Sequence, residues 1–354
     1  MAAELKGKIQ TVLGPIDPST LGRTLTHEHL HMTYTSCFQA PRDEDREMID
    51  APIVMRNLNH IKHFPYSNKA NLNLHSDGDA IIEELEMFKK RGGSCIVEVS
   101  PIGIGRNIKT LADYSKKTGV HIVSGTGYYL ACSMPPEMDT MKEEEIVAGM
   151  KYDLTEGADG TDFKCGVIGE VGCSWPLHPN EKKVLRAAGI TQSELGCPVI
   201  IHPGRNEKHP ELAPTEHLRI FQEAGGVASH TVMSHLDRCC QTPETVEEFA
   251  KLGCYLEYDL FGNECSYYQT VPTIDFISDA QRISLIKGLV DEGYVDKIVI
   301  AHDIHTRHRL LKYGGHGYSH ILENVVPKML VKGMSQENID KILIDNPRSW
   351  LTYF

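Results

Sequence analysis

Thr24-Leu25-Thr26-His27-Glu28-His29-Leu30-His31 reads as a strand that ends in two histidines around a glutamate. Residues two apart on a strand point to the same side, so His27 and His29 are placed to clamp one divalent ion at the strand's end. Histidine is the commonest protein metal ligand, yet such a pair alone is a weak signal. Its weight depends on what the other strand ends carry.

Working outward from that stretch, apolar strand-like runs alternate with longer helical patterns up to about residue 303, the mark of repeated βα units and a parallel sheet. The spacing predicts eight strands, at Thr24–His29, Ser94–Ser100, Val120–Tyr128, Cys165–Gly172, Pro198–Gly204, Thr231–Asp237, Tyr255–Phe261 and Lys297–Asp303. Helices are predicted between them, among them Asp79–Lys90, Glu143–Glu156, Glu181–Leu195 and Ala280–Glu292, several ending at glycines such as Gly196 and Gly253. A doubly wound open sheet would carry a glycine-rich phosphate fingerprint after its first strand; here the histidine pair stands in that place. The fold expected is therefore an α/β (β/α)8 TIM barrel, with 1–354 read as one barrel domain, a short leader 1–23 and a helical extension 320–354. Lys8–Val12 reads as a short strand against the barrel floor. The connection Met32–Asp77 is far longer than the usual ~12–15-residue limit and reads as a lid.

The chain has 354 residues, a formal charge of −12 and 41% hydrophobic residues. An acidic balance argues against a nucleic-acid partner, which clustered Lys and Arg would serve. No apolar run approaches the ~20 residues of a membrane span, and Met1–Lys8 is short and polar, so no membrane partner and a cytoplasmic location are expected. The ten cysteines form no C-x-x-C pair and read as mostly reduced and buried. A homo-oligomer stays open.

In such a barrel the chemistry sits where strands end, and four further ends carry suitable groups: Glu170 in Ile168-Gly169-Glu170-Val171-Gly172, His202 in His202-Pro203-Gly204-Arg205, His235 in Met233-Ser234-His235-Leu236-Asp237, and Asp303 in Ala301-His302-Asp303. A single histidine at a strand end is more often a hydrogen-bonded structural group, and a single Asp more often a helix cap. Suitable groups at five strand ends together point to a metal site.

This set, H-x-H on the first strand, a carboxylate on the fourth, single histidines on the fifth and sixth and Asp on the eighth, resembles the phosphotriesterase family of the amidohydrolase superfamily. The resemblance implies a metal-dependent hydrolase with two divalent metal ions per chain, most simply Zn2+, held by His27, His29, Glu170, His202, His235 and Asp303. It further implies attack by a metal-bridging hydroxide and proton transfer by Asp303 as the catalytic residue. It implies a small N-acyl amine substrate with an anionic group, N-acetyltaurine cleaved to taurine and acetate. A lactonase or phosphotriesterase on the same centre is the alternative, and a catalytically silent small-anion-binding barrel a third. One departure is visible: bacterial phosphotriesterases place a carbamylated lysine where this chain has Glu170. Lys164 lies six residues earlier, about 20 Å along a strand, on the floor side, so Glu170 is the bridge; being shorter, it counts against phosphotriester hydrolysis.

For the substrate's anion, charge-assisted pairing with arginine is the natural solution. Arg205 is the first choice, Arg106 and Arg307 the others. Tyr128, Tyr129, Tyr258 and Asp259 end strands and are expected to line the pocket. The five histidines between His302 and His320 are read as ordinary hydrogen-bonding groups.

Overall fold

The structure, a computed structural model, describes residues 5–354. Its first strands, β1 (Ile9–Thr11) and β2 (Gly14–Ile16), form an antiparallel hairpin. Eight parallel strands follow: β3 (Arg23–Glu28), β4 (Gly93–Glu98), β5 (His121–Thr126), β6 (Val167–Gly172), β7 (Val199–His202), β8 (Thr231–Met233), β9 (Tyr255–Tyr258) and β10 (Ile298–Ile300), hydrogen-bonded in sequence order. Every predicted strand is present; β3 is displaced by one residue toward the amino end and the others are shorter than predicted, most by a few residues. The loss is chiefly at the carboxyl ends, where ladder pairing stops and site-forming loops begin.

Helices cover the outside. Gly78–Lys90, Ile108–Thr118, Glu143–Thr155, Pro179–Leu195, Leu212–Glu223, Pro243–Ala250 and Asp279–Asp291 supply the crossovers. Their ends follow local chemistry: Asn107 accepts from Thr110 N–H at the start of the second helix, and Gly119 closes it in the left-handed conformation that a side chain resists. Short helical segments from Ile321 to Leu351 complete the expected carboxy-terminal extension. Among the described residues no helix is long and apolar enough to cross a membrane.

Two apolar layers result. The larger lies between sheet and helices; the smaller fills the barrel with Cys95, Val97, Val99, Val123, Val167, Ile200, Val232 and Val299. Ile9 from the hairpin, Leu21 and Trp350 join that inner layer and seal the floor. Lys164 lines a floor-side cavity with Gln10 and Val12 of the hairpin, away from the strand ends that carry the candidate ligands.

The sheet is closed at a seam between β3 and β10, largely by side chains. Glu28 accepts from His302 N–H at 2.8 Å and His302 Nδ1 at 2.7 Å on one oxygen, and from Ile304 N–H at 3.1 Å on the other. Asp303 N–H adds a bond to His27 O at 3.2 Å. Thus the glutamate between the two histidines turns away from the centre they share and holds the end of the last strand.

The long Met32–Asp77 connection is not structureless. It carries a helix at Leu58–His63 and several single turns, and it is docked on the loop after β10: Asn71 Oδ1 accepts His308 N–H at 2.9 Å, and Arg307 N–H bonds Asn71 O.

Candidate metal centre

Two strands that carry candidate ligands are irregular where they do so. In β3 the register against β4 slips between Leu25 and Glu28, and in β6 the register against β7 slips between Ile168 and Val171. Each slip sets an extra residue against its neighbour, a bulge of the kind that re-aims side chains beside active sites. Gly169, at φ 123°, occupies the second, where an added Cβ would fall 2.3 Å from Ile200 O. The bulges deliver His27, His29 and Glu170 to the barrel mouth. His202 ends β7, while His235 and Asp303 lie just beyond β8 and β10 in left-handed backbone, at φ 58° and 53°. That conformation costs a non-glycine residue about 1–2 kcal/mol. A carboxylate holds each in place: Asp259 accepts His235 N–H at 2.9 Å, and Glu28 binds the N–H groups on both sides of Asp303.

All six predicted ligands converge, and all are buried. His29 Nε2 lies 3.3 Å from Glu170 and 3.2 Å from Asp303; His27 Nε2 lies 3.5 Å from Glu170 and 3.8 Å from Asp303. On the other side His202 Nδ1 is 2.7 Å and His235 Nε2 3.7 Å from Glu170 Oε2, and these two ring nitrogens are 2.9 Å apart. His27, His29 and Asp303 each offer an atom within 4.8 Å of the others, as do His27, Glu170 and His235. Glu170 therefore stands between both groups.

The outward nitrogens are held by partners that turn the inward ones toward the centre. His27 Nδ1 meets Glu257 at 3.1 Å and His235 Nδ1 meets Asp259 at 2.7 Å. His29 Nδ1 donates to Ser100 Oγ at 2.8 Å, which itself donates to Glu98 at 2.6 Å. The charges are polarised. Burial opposes a charged His29, but hydrogen bonds to Asp303 and Glu170 lift it to about 9. Burial also opposes an ionised Glu170 and Asp303, yet His27 and His202 hold the first, and His305 and His29 the second, well below the usual carboxylate range. Burial, aided by Arg238, pushes His235 down to about 4, ready as a neutral ligand. The fit to divalent ions is good: the donors are imidazole nitrogens and carboxylate oxygens, a set that suits zinc, manganese, iron or cobalt, and His27 Nε2 is buried without a hydrogen-bond partner.

The centre opens into a narrow cleft lined by Tyr34, Tyr66, Tyr129, Tyr268, Phe276, His305 and three arginines, Arg205, Arg238 and Arg309. Arg205 is where the sequence reading put it. Four other expectations are corrected. Arg106 turns away from the cleft to pair with Asp153 at 2.7 Å and Asp159 at 2.8 Å. Arg307 is committed to Asp77, against which its loop packs. Tyr258, fully buried, alternates with Glu257 and Asp259 and so faces the helical layer. Tyr128 stays outside the cleft, and the next residue, Tyr129, reaches it, its hydroxyl 3.3 Å from both His202 nitrogens.

The sequence reading missed several contributors. Tyr34 and Tyr66 enter from the long connection, and Tyr66 stacks on His305 at 5.9 Å with its hydroxyl 3.1 Å from His305 Nε2. His305 also sets Nδ1 3.1 Å from Asp303 Oδ1, so one of the five clustered histidines belongs to the site. Asp259, expected at the pocket wall, stands behind His235 instead, and Glu257 was readable from it, since two carboxylates at alternate positions of an apolar strand face one side. Nothing in the sequence marked Arg238 or Arg309.

The family model described as "Phosphotriesterase family" matches residues 7–351. An N-acetyltaurine hydrolase of Xenopus tropicalis is 53% identical over 351 residues, 99% of either chain, and that of Homo sapiens is 52% identical over the same span. Among solved structures, a resiniferatoxin-binding protein from Rhodobacter sphaeroides superposes with a TM-score of 0.92 at 33% identity, over 98% of this chain and 95% of its own.

Proposed function

The chain belongs to the phosphotriesterase family, and from that premise we propose that it is a metal-dependent amide hydrolase that splits small N-acyl amines, N-acetyltaurine to taurine and acetate. One observation carries the reading: four imidazoles and two carboxylates meet in one buried cluster around Glu170. His27, His29 and Asp303 would hold one divalent ion, His202 and His235 the second, with Glu170 shared; zinc is the simplest choice for this donor set. Bound there, such ions lower the pKa of water toward ~7 and polarise a carbonyl, which an amide needs because it is a poor electrophile.

The chain's own groups do the rest. Asp303 takes a proton from the attacking water at its carboxylate and returns it to the amine nitrogen, whose departure would otherwise be very slow. Its left-handed backbone and the bond from His305 fix that carboxylate toward the cleft. Arg205 meets the anionic end of the substrate, and the tyrosines Tyr34, Tyr66 and Tyr129 wall off bulk water. Ten free cysteines, seven of them buried, suit the reducing cytoplasm.

The test is metal analysis of the purified protein paired with acetate release before and after chelation. Two ions per chain and release that stops on chelation are expected. Unchanged turnover in metal-free protein overturns the reading, and lactone opening that outpaces acetate release replaces the substrate.

A further inference from the structure

Arginines buried or half-buried elsewhere in this chain are neutralised by carboxylates. Arg106 pairs with Asp153 and Asp159, Arg282 with Asp237 and Asp279, and Arg307 with Asp77. The three that line the cleft break this rule. Arg205, Arg238 and Arg309 form no ion pair among the described residues, and the Nε of each is buried without a hydrogen-bond partner. Arg238 and Arg309 are only 3% and 4% exposed. Arg238 donates through one nitrogen to His202 Nε2 at 3.2 Å and Pro203 O at 3.3 Å, and Arg309 through one to Asp303 O at 2.5 Å. Their remaining N–H groups, and those of Arg205, are uncommitted.

Two of these guanidiniums share one aromatic wall. Arg205 lies 4.4 Å and Arg238 5.8 Å from the centroid of the same ring, Tyr268. Like charges brought together in a buried wall repel unless an anion lies between them, and desolvated cations without partners are costly. The cleft therefore stores positive potential that a ligand must relieve. One guanidinium saturates a planar carboxylate bidentately. Three, arriving from the loops after β7, β8 and β10, surround a group with three outward oxygens.

We infer that Arg238 and Arg309, with Arg205, form a specificity-determining pole for a tetrahedral oxyanion on the amine side of the substrate, a sulfonate in preference to a carboxylate or a neutral group. This rests on the amide-hydrolase reading above and adds what that reading does not fix, namely how the leaving group is selected. Arg238 is placed to do this beside the centre, since the nitrogen that touches His202 leaves its other edge for the ligand.

The experiment compares N-acetyltaurine, N-acetyl-β-alanine and N-acetylethanolamine, which share a two-carbon spacer and end in sulfonate, carboxylate and hydroxyl. The zinc-loaded wild-type protein is expected to prefer them in that order. In Arg238→Met and in Arg309→Met the ratio of kcat/KM for sulfonate over hydroxyl should fall about 10- to 100-fold, the worth of one charge-assisted hydrogen bond, with Arg238→Lys in between. A purely structural role would lower both substrates together and leave the ratio unmoved, which overturns the inference, as would equal wild-type rates on all three. If wild type splits none of them, the hydrolase reading fails by itself. Calorimetric binding of ethanesulfonate then still decides the pole: tight binding that weakens by a similar factor in both variants sustains it, and no binding to wild type ends it.

Discussion

Replacing Glu28 by Gln tests whether the residue between the two histidines closes the barrel. The carboxylate accepts three N–H groups across the seam, and no water reaches it, because it is fully buried. Gln keeps the shape but offers one acceptor oxygen. With that oxygen toward His302, its NH2 faces the Ile304 N–H, so one bond is lost and one buried donor is orphaned, at about 2–3 kcal/mol. Unfolding entropy of ~2.1 cal/mol/K per residue over 354 residues gives ~0.7 kcal/mol/K, so Tm should fall by about 3–4 °C. Ala would orphan all three donors and leave a cavity, a loss comparable with the whole stability of many proteins, which is why Gln is the informative change. Function should suffer too. Asp303 lies between the two backbone groups that Glu28 grips, and once one is released its left-handed backbone can relax. Acetate release should drop at least about tenfold, and zinc stoichiometry at limiting zinc should fall. Thermal melts by circular dichroism, metal analysis and the acetate assay read these outcomes. A variant that melts within about 1 °C of wild type and turns over normally would refute the seam argument.

Three other outcomes are expected. Asp303→Asn should lower turnover by about 10²–10⁴, and a near wild-type rate with metal content unchanged would remove Asp303 from proton transfer. Burial lifts Glu84 to about 7 although it accepts Leu311 and Tyr318 N–H. The folded chain therefore binds the extra proton, and stability falls as pH rises from about 4.5 to 7; urea midpoints at pH 5 and 7.5 should show that slope in wild type and lose it in Glu84→Gln, and parallel curves would contradict it. Hydrogen bonding from Cys132, whose Sγ is 4.0 Å away, outweighs burial and holds Cys37 down to about 7. Alkylation of Cys37 should accelerate around that pH in wild type and only near ~8.5 in Cys132→Ala, and the same inflection in both proteins would argue against the thiol pair.

Much of this was legible in the sequence because strands impose a period of two and barrels gather strand ends. Those two rules located the eight strands and brought His27, His29, Glu170, His202, His235 and Asp303 together. They fail beyond the last ladder bond, where parity is lost: of the adjacent Tyr128 and Tyr129, both expected in the cleft, only Tyr129 is there. Within a strand, parity could have excluded Tyr258, which alternates with Glu257 and Asp259. Arg106 and Arg307 were misplaced because their partners, Asp153, Asp159 and Asp77, come from distant segments. Arg238 and Arg309 are informative only through what they lack, a carboxylate neighbour, and such an absence is invisible until the chain is folded. The same holds for the bulges at Leu25–Glu28 and Ile168–Val171, although Gly169 beside Glu170 was a usable hint.

The floor plug of Ile9, Leu21 and Trp350 packs the lower end of the barrel. With the lower end packed, an ion bound at this centre would come and go through the cleft walled by Tyr34, Tyr66 and Tyr129, the path that the reactant would share. Occupancy of that path should therefore govern exchange: taurine at saturating concentration ought to slow stripping by a chelator, and reloading ought to be fastest in its absence.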